Sequence, residues 1–330
     1  QSRYNGLKVL DGSFTNKQLQ IGANGNETIA FNVAAADSSN LGIFESTQNA
    51  NTPGVQTAST AAVASVVIAQ TLKISGALGT ATGVSVAANA TAKDTAAAIN
   101  NQTSNTGVSA TAVTKAMISG FGTSGTTSSW SVSLKGKNQT AVSVSATVTA
   151  GDLTSVADAF NLVSSQTGVT AQLSSDKSQV LLTSSDGYDI ALTDFTSNVT
   201  AATMVVTATK YDATADSALT YTAGNTTSQT LTTGASDSTR VTGTLDITSS
   251  KAFTIYATTG GTAGTSFIPG TSQAGTLTQI ANANISTQSG AATAINTIDG
   301  AIAKISSMRG DLGAIASRLE KTVDALTSSS

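Results

Sequence analysis

A stretch of some sixty residues occurs twice in the middle of this chain, and that repetition constrains its folding more than any other feature. Residues 94–100 (Asp-Thr-Ala-Ala-Ala-Ile-Asn) match 155–161 (Ser-Val-Ala-Asp-Ala-Phe-Asn), and 105–110 match 166–171, both at a spacing of 61. Residues 71–76 match 131–136 at a spacing one residue shorter. Each copy reads as strand, strand, short helix, strand, and such units bury a face only by stacking on a neighbour. The helix is expected to bury Ala97 and Ile99 in the first copy, Ala157 and Phe160 in the second. Residues 245–255 echo 180–190 more weakly, which suggests a partial third copy; Leu245 and Ile247, then Phe253 and Ile255, read as the arms of a hairpin. Val142, Val144, Ala146 and Val148 alternate with Ser143, Ser145, Thr147 and Thr149, the pattern of a half-buried strand.

The two ends are different material. Near the start, 17–21 and 28–33 alternate in polarity around an Asn-Gly pair (Asn24-Gly25), a hairpin signal. Near the end, Ser286 or Thr287 can cap a helix that starts around Gln288. From there Ile295, Ile298, Ile302, Ile305, Leu312, Ala316, Leu319, Val323 and Leu326 follow heptad spacing, interrupted by Arg309. A seam of this length needs cover. No other segment is a comparable amphipathic helix, so the cover comes from a local bundle, the favoured reading, from another molecule, or from a sheet.

Composition removes whole classes of function. The chain has no Cys and no His, so disulfides, thiolate nucleophiles, Ser-His-Asp and Cys-His catalysis and the commonest zinc ligands are excluded. No enzyme activity, cofactor or metal is expected. Charged residues are 11% of the chain, against ~25% in ordinary domains, and the net charge of −3 offers no basic face for nucleic acid. No apolar run is long enough to cross a membrane. Asp186, Asp189 and Asp194 flank a Gly-containing turn but lack the ligand spacing of a calcium loop, and read as turn aspartates. Asp152 and Asp158 read as residues that cap and flank a helix start.

Residues 286–299, 305–314, 318–320 and 323–326 together resemble the C-terminal region of bacterial flagellins, and 4–12 and 19–24 are flagellin-like as well. The middle repeats resemble modules inserted into flagellin variable regions. The resemblance implies a chain trimmed of terminal polymerisation helices. It implies an elongated, multi-domain α+β molecule: a helical bundle layer with a β-hairpin built from both termini, plus β-rich domains. The segments expected are 1–60 and 276–330 for the helical layer, with 61–126, 127–200 and 201–275 as first repeat, second repeat and partial third.

The implied function is that of an extracellular filament subunit for motility, exported without a cleaved signal peptide, whose partners are other flagellin subunits. Its bundle and assembly contacts would lie at Ile295, Ile298, Ile302, Ile305, Arg309, Asp311, Leu312, Arg318, Leu319 and Glu320. Arg309 could equally be a snorkelling side chain, and Arg318 and Glu320 a plain charged face. The alternative is a cell-surface protein that binds a polysaccharide through its middle. Trp130 would stack on sugar, unless it is a core residue, while Lys73, Lys135, Lys137 and Arg240 would supply charge.

Overall fold

The computed structural model describes residues 3–4, 6–20, 28–48, 54–121, 127–138, 140–149, 151–209, 228–286 and 288–329. They form two compact units. One consists of Gln1–Phe44, Thr276–Ser286 and Gly290–Ser330; the other of Glu45–Gly275 with Thr287–Ser289. The three middle segments therefore make a single unit, which begins at Glu45.

In the first unit, Lys17–Gln20 pairs antiparallel with Thr28–Phe31 (Lys17 opposite Phe31), the expected hairpin. Its Asn-Gly turn lies outside the described residues. Phe14 packs on Phe31, with ring centroids 5.6 Å apart. The chain then turns at Asp37, whose carboxylate accepts the N–H of Ser39 and of Asn40, and enters a strand at Gly42. A Cβ on Gly42 would fall 1.9 Å from the Thr278 carbonyl, so only glycine lets these two backbones meet. The long helix Gln288–Ser329 has 42 residues, roughly 60 Å at 1.5 Å per residue. It begins where expected, although the Ser286 hydroxyl is engaged with Asn284 and Thr287 lies outside the described residues.

The second unit contains two modules of the same build. In the first, Gln70–Ser75 pairs with Thr80–Val86, helix Ala92–Asn100 follows, and strand Val108–Ser119 returns. In the second, Ser128–Lys135 pairs with Val142–Val148, helix Thr154–Leu162 follows, and Thr170–Leu173 returns. The equivalence extends to single atoms. Asn100 donates its Nδ2 to the Ala110 carbonyl and accepts the Ala110 N–H at 2.8 and 2.7 Å. Asn161 does the same with Ala171 at 2.9 and 2.8 Å. Gly107 and Gly168 end the helical turns at φ +73° and +70°, the left-handed stop that glycine permits.

Residues 245–255 are not part of a third copy. Thr244–Ser249 pairs with the start of Val108–Ser119 (Ile247 opposite Ala110), as Val180–Ser184 pairs with Thr170–Leu173 (Leu182 opposite Ala171). Thr254–Thr259 then pairs with Gln70–Ser75, as Ile190–Ser197 pairs with Ser128–Lys135. The segment completes the first module, and the second module is inserted within it. Thr244–Ser249 and Thr254–Thr259 thus belong to different sheets and form no hairpin with each other, because each has a remote strand to pair with.

Both helices bury one face. Ala92, Thr95, Ala96 and Ile99 are buried in the first, Val156, Ala157 and Phe160 in the second. Ala97 is exposed, contrary to expectation. The buried positions fall at i, i+3, i+4 and i+7, and Ala97 lies off that stripe. Thr91 and Asp94 form a reciprocal capping box at the first helix, each side chain accepting the other's N–H. At the second, the Asp152 carboxylate takes the Thr154 N–H at 2.9 Å, which bears out its reading as a helix-start residue.

Candidate functional site

Helix Gln288–Ser329 buries a face of small residues. Ala294, Thr297 and Ala301 are almost inaccessible. Gly300 rests on Ile43, where a Cβ would come within 2.8 Å, and Lys304 donates its Nζ to the Asn40 carbonyl at 2.5 Å. Choosing this face turns the heptad seam outward. Ile295, Ile298, Ile302, Ile305, Leu312 and Val323 are 60%, 45%, 56%, 41%, 39% and 59% exposed, and Leu319 is half-buried. The seam is not the core of a local bundle, since no second long helix exists among the described residues.

The four expected charged contacts, Arg309, Asp311, Arg318 and Glu320, are exposed and form no ion pair among the described residues. Midway along the helix, Met308, Asp311 and Leu312 line a cleft of about 320 Å³ with Gly12, Thr15, Asn32, Val33, Ala34 and Ala35. This cleft was not legible in the sequence. It joins segments some three hundred residues apart, and only the period of Met308 beside the seam hinted at it.

The sugar-binding candidates do not all come together, although Lys135 and Arg240 both lie opposite Ala191, on the two strands that flank it. Trp130 is 3% exposed; it stacks on Phe160 with centroids 6.1 Å apart and lies 5.4 Å from Phe121. It is a core residue and cannot stack on a sugar. Lys73 lies over the Tyr256 ring at 5.9 Å in the first module's sheet. Lys135 and Lys137 are exposed in the second. Arg240 is already engaged, with its Nη1 3.2 Å from Asp189 and its Nε donating to the Val63 carbonyl at 2.9 Å.

The three aspartates do not converge on one site either. Asp186 faces Lys93 at 3.9 Å, Asp189 pairs with Arg240, and Asp194 accepts the Thr193 hydroxyl. No cluster of metal-ligating carboxylates occurs among the described residues.

Asp189 has unusual electrostatics. Burial pushes its carboxyl up to about 6, against the opposing pull of Arg240. Between the unfolded value of 3.8 and about 6, the folded chain keeps a proton that the unfolded chain has lost. This group's contribution to stability therefore falls as pH rises through that window, by about 3 kcal/mol at most, and is flat above it. Carboxyl carbon NMR should place the Asp189 midpoint near 6, and Asp189→Asn should remove this fall in stability. A midpoint below 4 would show that the Arg240 pair dominates.

Residues 71–127 match the family model described as the flagellin hook IN motif. The match begins at the first strand of the first module and stops before the segment that completes it. The chain is also 32% identical to B-type flagellin of Pseudomonas aeruginosa over 176 residues, 52% of this chain. Over about half its length the chain is similar to a flagellin. The matched stretch is 33% of the length of that relative. In this chain the modules occupy the unit that begins at Glu45, and the uncovered helix face occupies the other. No described helix is long and apolar enough to cross a membrane.

Proposed function

We propose that this chain is a flagellin, a structural subunit of the bacterial flagellar filament, extracellular, and self-assembling with further copies through its long helix. The observation that carries this reading is the apolar stripe from Ile295 to Val323, which the chain leaves in water while burying the small-residue face instead. Exposed apolar patches of this extent mark interaction sites. Contacts of this kind between different surfaces of successive copies propagate without closing, which is what a filament requires. A catalytic role has no support in a chain without Cys or His. The polysaccharide alternative has lost its aromatic platform, Trp130, to the core.

The double substitution Ile298→Asp, Ile302→Asp tests the reading. Both side chains are about half exposed, so the free chain should lose no more than about 0.5 kcal/mol of stability by urea titration. In a cell that builds its filament from this protein, electron microscopy should show filaments absent or short. Normal filaments from the double variant would refute the assignment of this face. A loss of several kcal/mol in the free chain would instead make the stripe part of an internal core.

A further inference from the structure

The second module ends its sheet on a strand whose outer edge is open except at Thr147, where the Ser155 hydroxyl meets the carbonyl. Val142–Val148 pairs with Ser128–Lys135 on one side and with no strand on the other among the described residues. Natural edges are usually blunted by lysine, proline or a bulge. Here the seven residues Val-Ser-Val-Ser-Ala-Thr-Val carry no charge, no glycine and no proline, and their register runs unbroken from Val142 opposite Leu134 to Val148 opposite Ser128. The equivalent edge of the first module is blunted. Thr80–Val86 contains Gly83 at φ +74°, and its pairing slips between Leu72 and Ile74.

Hydrogen-bond parity shows which backbone groups this edge presents. Ser129 donates its N–H to Asn198 Oδ1 at 2.9 Å, and its carbonyl accepts the Asn198 N–H at 3.1 Å. Its backbone groups thus point away from Val142–Val148, so Ser129 and Thr147 are a non-hydrogen-bonded pair. Bonded and non-bonded pairs alternate along an antiparallel ladder. The N–H and C=O of Ser143, Ser145 and Thr147 therefore face the open side. The Ser155 hydroxyl, which donates to the Thr147 carbonyl at 2.5 Å, marks that side at one end.

The strand is also its own complement. Laid antiparallel on a copy of itself about Ser145, it sets Val142 against Val148, Ser143 against Thr147, and Val144 against Ala146. Val144 and Val148 lie on the core side, whereas Ser143, Ser145 and Thr147 are exposed, so like faces meet like. Cross-strand hydroxyl pairs already line the exposed face, Ser129 with Thr147 at 3.3 Å and Ser131 with Thr196 at 3.1 Å.

We propose that this edge is a self-association site, at which two copies of the chain join their four-stranded sheets across a two-fold axis through Ser145. The interface is isologous and driven by main-chain hydrogen bonds, with the alternating side chains setting the register. It does not depend on the filament reading and uses no residue of the long helix.

Sedimentation velocity on the whole chain, over a range of concentrations, tests the proposal. The native chain should form dimers, and Ser145→Lys, which sets two lysines face to face, should weaken dimerisation by about tenfold or more with an unchanged melting temperature. Cysteine substitutions read the register in a chain that has no cysteine of its own. Paired Ser145 residues would sit about 5.5 Å apart at Cα, within disulfide range. Ser145→Cys should therefore cross-link with itself. Ser143→Cys should not, but should cross-link with Thr147→Cys in a mixture. A native chain that stays monomeric at every concentration overturns the proposal, as does a dimer that survives Ser145→Lys or cross-links equally well from Ser143→Cys alone.

Discussion

Replacing Phe160 by alanine is expected to lower the unfolding free energy of the module-bearing unit by about 3–5 kcal/mol. The ring is fully buried on the inner face of helix Thr154–Leu162. It stacks on Trp130 with an interplanar angle of 23°. Truncation removes the transfer energy of a whole aromatic side chain and leaves a cavity that Trp130, held by its strand, cannot fill. Loss of the stacking geometry adds a smaller amount. The protein supplies its own probe, because Trp130 is its single tryptophan. Indole emission followed through a urea titration reports this core and nothing else. The variant should unfold at a markedly lower urea midpoint with a similar slope, and its native emission should shift toward the red as water approaches the indole. A change below about 1 kcal/mol would mean that the core collapses around the gap, and that its packing is looser than the stacked rings imply.

How much of this was legible in the sequence depends on how local the determining interaction is. The strand Val142–Val148 and the helix Ala92–Asn100 show their periods in a few residues, because each repeats one buried face. Trp130 and Phe160 were readable as core, since large aromatics in a Thr/Ser-rich β-region have few other places to go. The insertion of one module into the other was not readable. It depends on Thr244–Ser249 choosing a partner more than a hundred residues earlier, and sequence periodicity carries no information about partners. The helix face misled for a related reason. A heptad of Ile and Leu advertises a buried seam, yet close backbone approach at Gly300, together with the small side chains of Ala294 and Ala301, seats the helix on another side. Residue types gave the apolar stripe, but only the packing shows that it faces water. The Asp189–Arg240 pair was hidden in the same way, its partners being about fifty residues apart, Arg240 on one strand and Asp189 just before the strand that pairs with it.

The second large effect is expected from a glycine that each module uses in the same way. A Cβ on Gly76 would lie 2.0 Å from the Thr106 carbonyl and 2.9 Å from Val108 Cγ2. On Gly136 it would lie 2.3 Å from the Thr167 carbonyl and 2.8 Å from Val169 Cγ2. In both modules the first strand ends hard against the turn that closes the helical segment, and the obstacle is backbone, which cannot rotate aside. The turn is itself pinned, since Thr106 and Thr167 each donate a hydroxyl hydrogen bond to the carbonyl four residues back. Gly76→Ala and Gly136→Ala should each cost about 2–4 kcal/mol, as overpacking against fixed backbone does.

The nested order makes the consequences unequal. The second module is nearly contiguous in sequence, so Gly76→Ala should loosen the strands of the first module while leaving amide protection in Ser128–Lys135 largely intact. Gly136→Ala should reach further. Val180–Ser184 of the second module pairs with the later half of Val108–Ser119, and the earlier half of that strand belongs to the first module. Native-state hydrogen exchange separates the two cases residue by residue. Equal loss of protection in both modules from either substitution would mean that they unfold as one cooperative unit, and that the insertion is a feature of topology with no counterpart in stability.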